Sequence, residues 1–70
     1  MDKLSLTQRE QEVLDLLMQG KSNREIAAIL AITHHTVKAH ISAILKKTGT
    51  KTRVEAIIHV LNRGGVNRGK

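Results

Sequence analysis

Residues 22–40, Ser22-Asn23-Arg24-Glu25-Ile26-Ala27-Ala28-Ile29-Leu30-Ala31-Ile32-Thr33-His34-His35-Thr36-Val37-Lys38-Ala39-His40, decide how this chain folds. Ser22 followed three residues later by Glu25 is a helix start: the hydroxyl accepts an orphan backbone N–H and the carboxylate reaches back. A second start falls at Thr33, with Ile32 before it and Val37 after it at the spacing of a hydrophobic staple. Only Ala31, Ile32 and Thr33 separate the two runs, so the stretch reads as two helices joined by a tight turn.

The same grammar extends outward. Thr7 with Glu10 and Thr52 with Glu55 repeat the cap pattern, while Gly20, Gly49 and Gly64-Gly65 supply stops. The spacing predicts helices near 8–19, 23–30, 34–47 and 53–62 and no strand, an all-α four-helix bundle. At about 100° per residue, Val37, Ile41, Ile44 and Leu45 form the apolar stripe of the third helix, opposite His35, Ala39, Ser42 and Lys46. Ile26, Ile29 and Leu30 are expected to point inward from the second helix. Val13, Leu14, Leu16, Leu17 and Met18 spread over enough of the first to meet more than one neighbour.

Seventy residues allow one domain, expected over 1–66 with a disordered tail at 67–70. There is no Phe, Trp, Tyr, Pro or Cys, so Leu, Ile, Val, Ala and Met must make the core. Neither a disulfide nor a thiolate metal site can reinforce it. A chain this short buries only about 60% of its unfolded surface, which leaves little room for an enclosed catalytic cleft. No enzyme activity and no cofactor are expected. The histidines lack i, i+3 or i, i+4 spacing, so no metal site is expected either. Ser42 and His40 face different directions and make no nucleophile–base pair. No apolar run approaches the ~20 residues of a membrane span, and the N-terminus is not a signal peptide; cytoplasm is the default location.

Twelve Lys and Arg against six Asp and Glu give a formal net charge of +6, and the sequence pI is near 10.4. The charge is uneven: residues 1–25 hold four basic and five acidic side chains, residues 26–70 eight and one. From Ile26 to Val54 there is no carboxylate, while Lys38, Lys46, Lys47, Lys51 and Arg53 fall in that window. Three of the expected helices carry a Glu in the first turn. The third has His34, His35 and Thr36 there, which leaves the positive end of its dipole open to an external anion. A tight helix pair whose second member has a small, basic outer face describes a DNA-binding helix-turn-helix.

The runs Leu6-Thr7-Gln8-Arg9-Glu10-Gln11-Glu12-Val13-Leu14, Gly20-Lys21-Ser22-Asn23-Arg24-Glu25-Ile26-Ala27, Thr36-Val37-Lys38-Ala39-His40 and Arg53-Val54-Glu55-Ala56, in that order, resemble the LuxR/FixJ-type (NarL-like) helix-turn-helix DNA-binding domain of bacterial transcriptional regulators. The resemblance covers about residues 4–66. It implies double-stranded DNA binding and transcription regulation, with the third helix in the major groove and a dimer on a pseudo-palindromic site. Carried over by position, it implies base contacts from Lys38, Ala39 and Ser42. Phosphate contacts follow from Asn23, Arg24, Thr33, Thr36, Lys47 and Arg53, with Lys46 and Lys51 added on charge. A homodimer through Val54, Ile58 and Leu61, which follow i, i+4, i+7 on the fourth helix, fits both the pattern and the resemblance. RNA polymerase and an upstream regulatory domain are further candidate partners.

Three positions depart from that family. Ala31 stands where Gly is frequent and carries strain if the turn needs φ > 0. Thr48 and Thr50 stand where Leu and Val are usual. Either the Thr48 hydroxyl caps a nearby carbonyl, or the junction between the third and fourth helices is loose. Two other readings remain open: a sigma-factor-like promoter-reading module, and a protein-interaction module that uses the fourth helix.

Overall fold

The computed structural model describes residues 5–62. The expected tail at 67–70 and the stop at Gly64-Gly65 lie outside them. Four helices follow in order: α1 Gln8–Met18, α2 Asn23–Leu30, α3 His34–Thr48 and α4 Arg53–Val60. There is no strand among the described residues. Leu61 keeps helical dihedrals (φ −61°, ψ −41°), so α4 ends close to the expected boundary.

All four starts are capped by the expected hydroxyl. Thr7 and Ser22 close reciprocal capping boxes with Glu10 and Glu25. Thr33 accepts from the Thr36 N–H at 3.1 Å, and Thr52 from the Glu55 N–H at 3.1 Å. The box expected at the start of α4 differs in its second half. The Glu55 carboxylate accepts from the N–H of Lys51, not of Thr52, at 2.8 Å, so it ties down the residue before the cap.

Three helices stop by one geometry, in which the residue after the helix enters the left-handed region and two backbone bonds close over the last turn. At Gly20 (φ +86°) the bonds are Lys21 N–H to Leu16 O and Gly20 N–H to Leu17 O, 3.1 and 2.9 Å. At Gly49 (φ +71°) they are Thr50 to Leu45 and Gly49 to Lys46. Between α2 and α3 the residue in that conformation is Ala31, at φ +57°, with Ile32 N–H to Ala27 O at 3.0 Å. The turn of the helix pair therefore demands positive φ from a residue with a Cβ.

Val13, Leu14, Leu17, Ile26, Val37, Ile41, Ile44 and Ala56 form the buried core, with Leu6, Leu16, Met18, Ala27, Leu30, Ile32, Leu45, Ile57 and Val60 packed against it. α3 touches all three other helices and so does α1, while α2 and α4 do not meet. That topology corrects one inward assignment. Ile29 is 54% exposed. The packed arc of α2 runs through Ile26, Leu30, Ala27 and Asn23, and Ile29 lies about 60° beyond Ile26 on the other side, where no helix covers it. Thr48 takes the first of its two alternatives: it is buried and its hydroxyl donates to Ile44 O at 2.9 Å. Thr50 Oγ1 lies 2.7 Å from it and, with the Thr48 proton given to Ile44 O, is the donor of that bond.

Replacing Ala31 with Gly removes the left-handed penalty of about 1–2 kcal/mol, partly offset by the greater freedom of Gly in the unfolded chain. Thermal denaturation should show A31G more stable by about 0.5–1 kcal/mol, a melting temperature roughly 2–8 °C higher. An unchanged or lower value would mean that the turn is not strained.

Candidate nucleic-acid interface

α3 buries one face and leaves the other bare. Val37, Ile41 and Ile44 are in the core, whereas His35, Lys38, Ala39, Ser42 and Lys46 are exposed. The helix holds no carboxylate in its first turn, and Lys46 and Lys47 occupy its last. Small side chains at Ala39 and Ser42 let another surface approach the backbone closely between the longer Lys38 and Lys46.

The ends of two other helices converge on this face. Asn23 and Arg53 are the first residues of α2 and α4. An Arg53 Nη2–H donates to Asn23 Oδ1, which joins two helices that otherwise do not touch. Asn23, Arg53, Lys38, Ile41 and Ser42 line an open cleft of about 180 Å³. The hydrogen bond holds the half-buried guanidinium at the cleft wall, where its remaining N–H groups suit a phosphate oxygen. Arg24, Thr33, Lys46 and Lys51 are exposed and Thr36 half-buried. Thr33 and Thr36 join their hydroxyls at 2.9 Å at the start of α3. The structure thus brings Lys38, Ser42, Asn23 and Arg53 into one cleft. Ala39 lies beside them on the exposed face of α3, and the other predicted DNA contacts lie at the start of α2, at the two ends of α3 and on the α3–α4 connection.

Lys47 is engaged differently. Its Nζ donates to Glu10 Oε1 at 2.7 Å and to Ser5 O at 3.3 Å. Glu10 is only 7% exposed. Its capping role is legible in the sequence; this second bond is not. No local spacing signals a pair 37 residues apart; a cap residue with spare acceptor capacity was the available hint. The Lys47 hydrogen bond first, and then the Thr7 N–H, hold the Glu10 carboxyl below the ordinary carboxylate range against the opposing effect of burial. The Glu25 carboxyl is likewise lowered, chiefly by the Ser22 N–H.

α4 carries a second exposed feature. Val54, Ile58 and Leu61 are 60%, 49% and 42% exposed and share one side of the helix at i, i+4, i+7 spacing. Ala56, Ile57 and Val60 on its other side join the core.

Residues 4–60 match the family described as bacterial regulatory proteins, luxR family. The spore germination protein GerE of Bacillus subtilis (strain 168) is 46% identical over 59 residues, 84% of this chain and 80% of that protein. The nitrate/nitrite response regulator protein NarP of Escherichia coli (strain K12) is 47% identical over 60 residues, 86% of this chain. The chain spans most of GerE but only 28% of NarP. Among solved structures, that of the transcription factor GerE superposes with a TM-score of 0.79 at 38% identity, covering 90% of this chain and 92% of that one.

The lowered carboxyls make a pH prediction. With folded pKa values below the unfolded value of 4.5, their stabilisation is complete above 4.5 and is lost as pH falls through the folded values. The melting temperature should be level from about pH 7 to 5 and drop steadily below about 4.5. Glu10→Gln should flatten that drop while lowering the plateau. A pH profile identical in the variant would remove Glu10 from the account.

Proposed function

The chain belongs to the luxR family of bacterial regulatory proteins, DNA-binding transcription regulators and not enzymes, and we propose that it docks α3 in the major groove of double-stranded DNA as one half of a two-fold dimer. The observation that carries this reading is the bare face of α3, free of carboxylates and framed by the Arg53–Asn23 bridge. A major groove about 12 Å wide accepts one helix, and small side chains let it seat deeply.

Lys38, Ala39 and Ser42 meet base edges. Lys38 suits guanine N7 and O6, Ala39 a thymine methyl, and Ser42 either partner with little discrimination. Asn23, Arg24, Thr33, Thr36, Lys46, Lys47, Lys51 and Arg53 meet phosphates and set the orientation. With one strong base reader per protomer, specificity comes from pairing two half-sites and from DNA shape. Val54, Ile58 and Leu61 form the two-fold contact, since an exposed apolar row along one helix marks a protein contact and can pair with its own copy across a two-fold axis. The response-regulator relatives, of which this chain spans about a quarter, support a regulatory domain upstream of such a DNA-binding unit; transcription regulation makes RNA polymerase in the cytoplasm the machinery addressed. No helix among the described residues is long and apolar enough to cross a membrane.

An amide chemical-shift titration with a short duplex tests the docking face. Shifts should cluster on residues 33–47 and fade with salt; a cluster on residues 53–62 instead would favour the protein-interaction reading. Lys38→Ala should relax base preference, by about tenfold between best and substituted sites. Lys46→Ala should weaken all sequences alike and lower the salt slope by about one. Equal loss of specificity from both variants would refute that division of labour. Ile58→Asp should abolish cooperative binding to a palindrome and spare half-site binding; unchanged cooperativity would move the dimer contact elsewhere.

A further inference from the structure

Glu10 is the buried carboxylate among the described residues, and DNA docking as set out above makes no use of it. One of its oxygens serves two donors. Oε1 accepts from the Thr7 N–H at 3.0 Å, which caps α1, and from Lys47 Nζ at 2.7 Å, in the last turn of α3. The same ammonium donates to the carbonyl of Ser5 at 3.3 Å, where the backbone turns through a positive φ of 53°. Two of its three N–H bonds are thus directed to the start of α1 and the segment before it, and the third has no acceptor among the described residues. The Lys47 side chain is 34% exposed and that of Glu10 9%, so the lysine is the partner of the pair that an approaching molecule meets first.

We propose that Glu10 is a positioning residue for DNA binding: it holds the Lys47 ammonium beside the last turn of α3 with its third N–H presented to a backbone phosphate. This rests on reading Lys47 as a phosphate contact. The physical ground is ordering. A lysine that is free before docking loses its rotamer freedom on contact, whereas a pinned one has lost it on folding. The opposing effect is repulsion between phosphate and the Glu10 carboxylate. It is the smaller of the two because an oxygen bonded to a different N–H of the tetrahedral ammonium is held nearer to the nitrogen than to Oε1. A second consequence is geometric. The pair ties the end of α3 to the start of α1, so the angle of the DNA-reading helix and the position of this phosphate contact are set by one bond.

The sign of one substitution separates this from simple electrostatics. Glu10→Gln keeps the shape and an acceptor for the Thr7 N–H but raises the net charge by one, which by charge alone strengthens binding to a polyanion. We expect the opposite: affinity for a fluorescent mixed-sequence duplex of about 20 base pairs (two turns of DNA) falls roughly three- to tenfold, at temperatures well below melting. Glu12→Gln, which removes an exposed acid from the same helix, should bind slightly tighter. In a Lys47→Gln background Glu10→Gln should cause no further loss. If Glu10→Gln binds tighter, the positioning inference fails and the Lys47 phosphate contact survives. If Lys47→Gln leaves affinity and salt slope unchanged, the phosphate reading fails and takes this inference with it. An equal loss in both backgrounds means that Glu10 does not act through Lys47, and also overturns it. Should Glu10→Gln not fold, the carboxyl carbon of Glu10 in the unaltered protein decides. A signal unmoved by duplex supports the pinned pair, and a shift to that of a free carboxylate overturns it.

Discussion

Everything in this molecule depends on the double duty of α3. Its Val37, Ile41 and Ile44 are the apolar ridge against which the other three helices pack, and its opposite face has to stay bare. With no aromatic side chain available, the core is made of small branched residues that must close around a single helix to bury enough area. α1 supplies the broadest surface for this, and α2 and α4 flank without meeting. The bare face is therefore a consequence of packing as much as of polarity: three helices are too few to wrap a fourth.

That economy explains the polar fastenings. Where α2 and α4 fail to meet, Arg53 and Asn23 bridge them. Where the end of α3 passes the start of α1, Lys47 and Glu10 do the same. Thr48 satisfies its hydroxyl on Ile44 O and Thr50 and so stays buried without an orphan donor. The first two fastenings join helices beside the exposed face of α3, and the third closes the end of α3 itself. The Ala31 turn is the exception, a backbone conformation held against the preference of its residue because the capping bonds on either side require it.

Legibility in the sequence followed the range of the physics. Thr7, Ser22, Thr33 and Thr52 announced the helix starts because a cap is a bond between residues three apart, and all four are observed. The stripe Val37, Ile41 and Ile44 could be read from periodicity alone. Ile29 could not be placed, because its exposure depends on which side of α2 lacks a neighbour, and that is a matter of how helices are arranged. The Lys51 N–H to Glu55 bond is local and was still not legible, because it follows from the backbone at Thr52, whose φ of −132° differs from the −71° to −80° of the other three caps.

The chain by itself determined four helices, their caps and stops, the acid-free basic stretch and the motifs that mark the luxR family. These are local patterns, carried by bonds and spacings within one or two turns. Only the tertiary structure decided that Asn23 and Arg53 would share a cleft with Lys38 and Ser42, that Ile29 would be left uncovered, and that Lys47 would be held by a buried Glu10. Those facts join residues tens of positions apart, and chain spacing carries no record of such distances until the apolar faces have closed on α3.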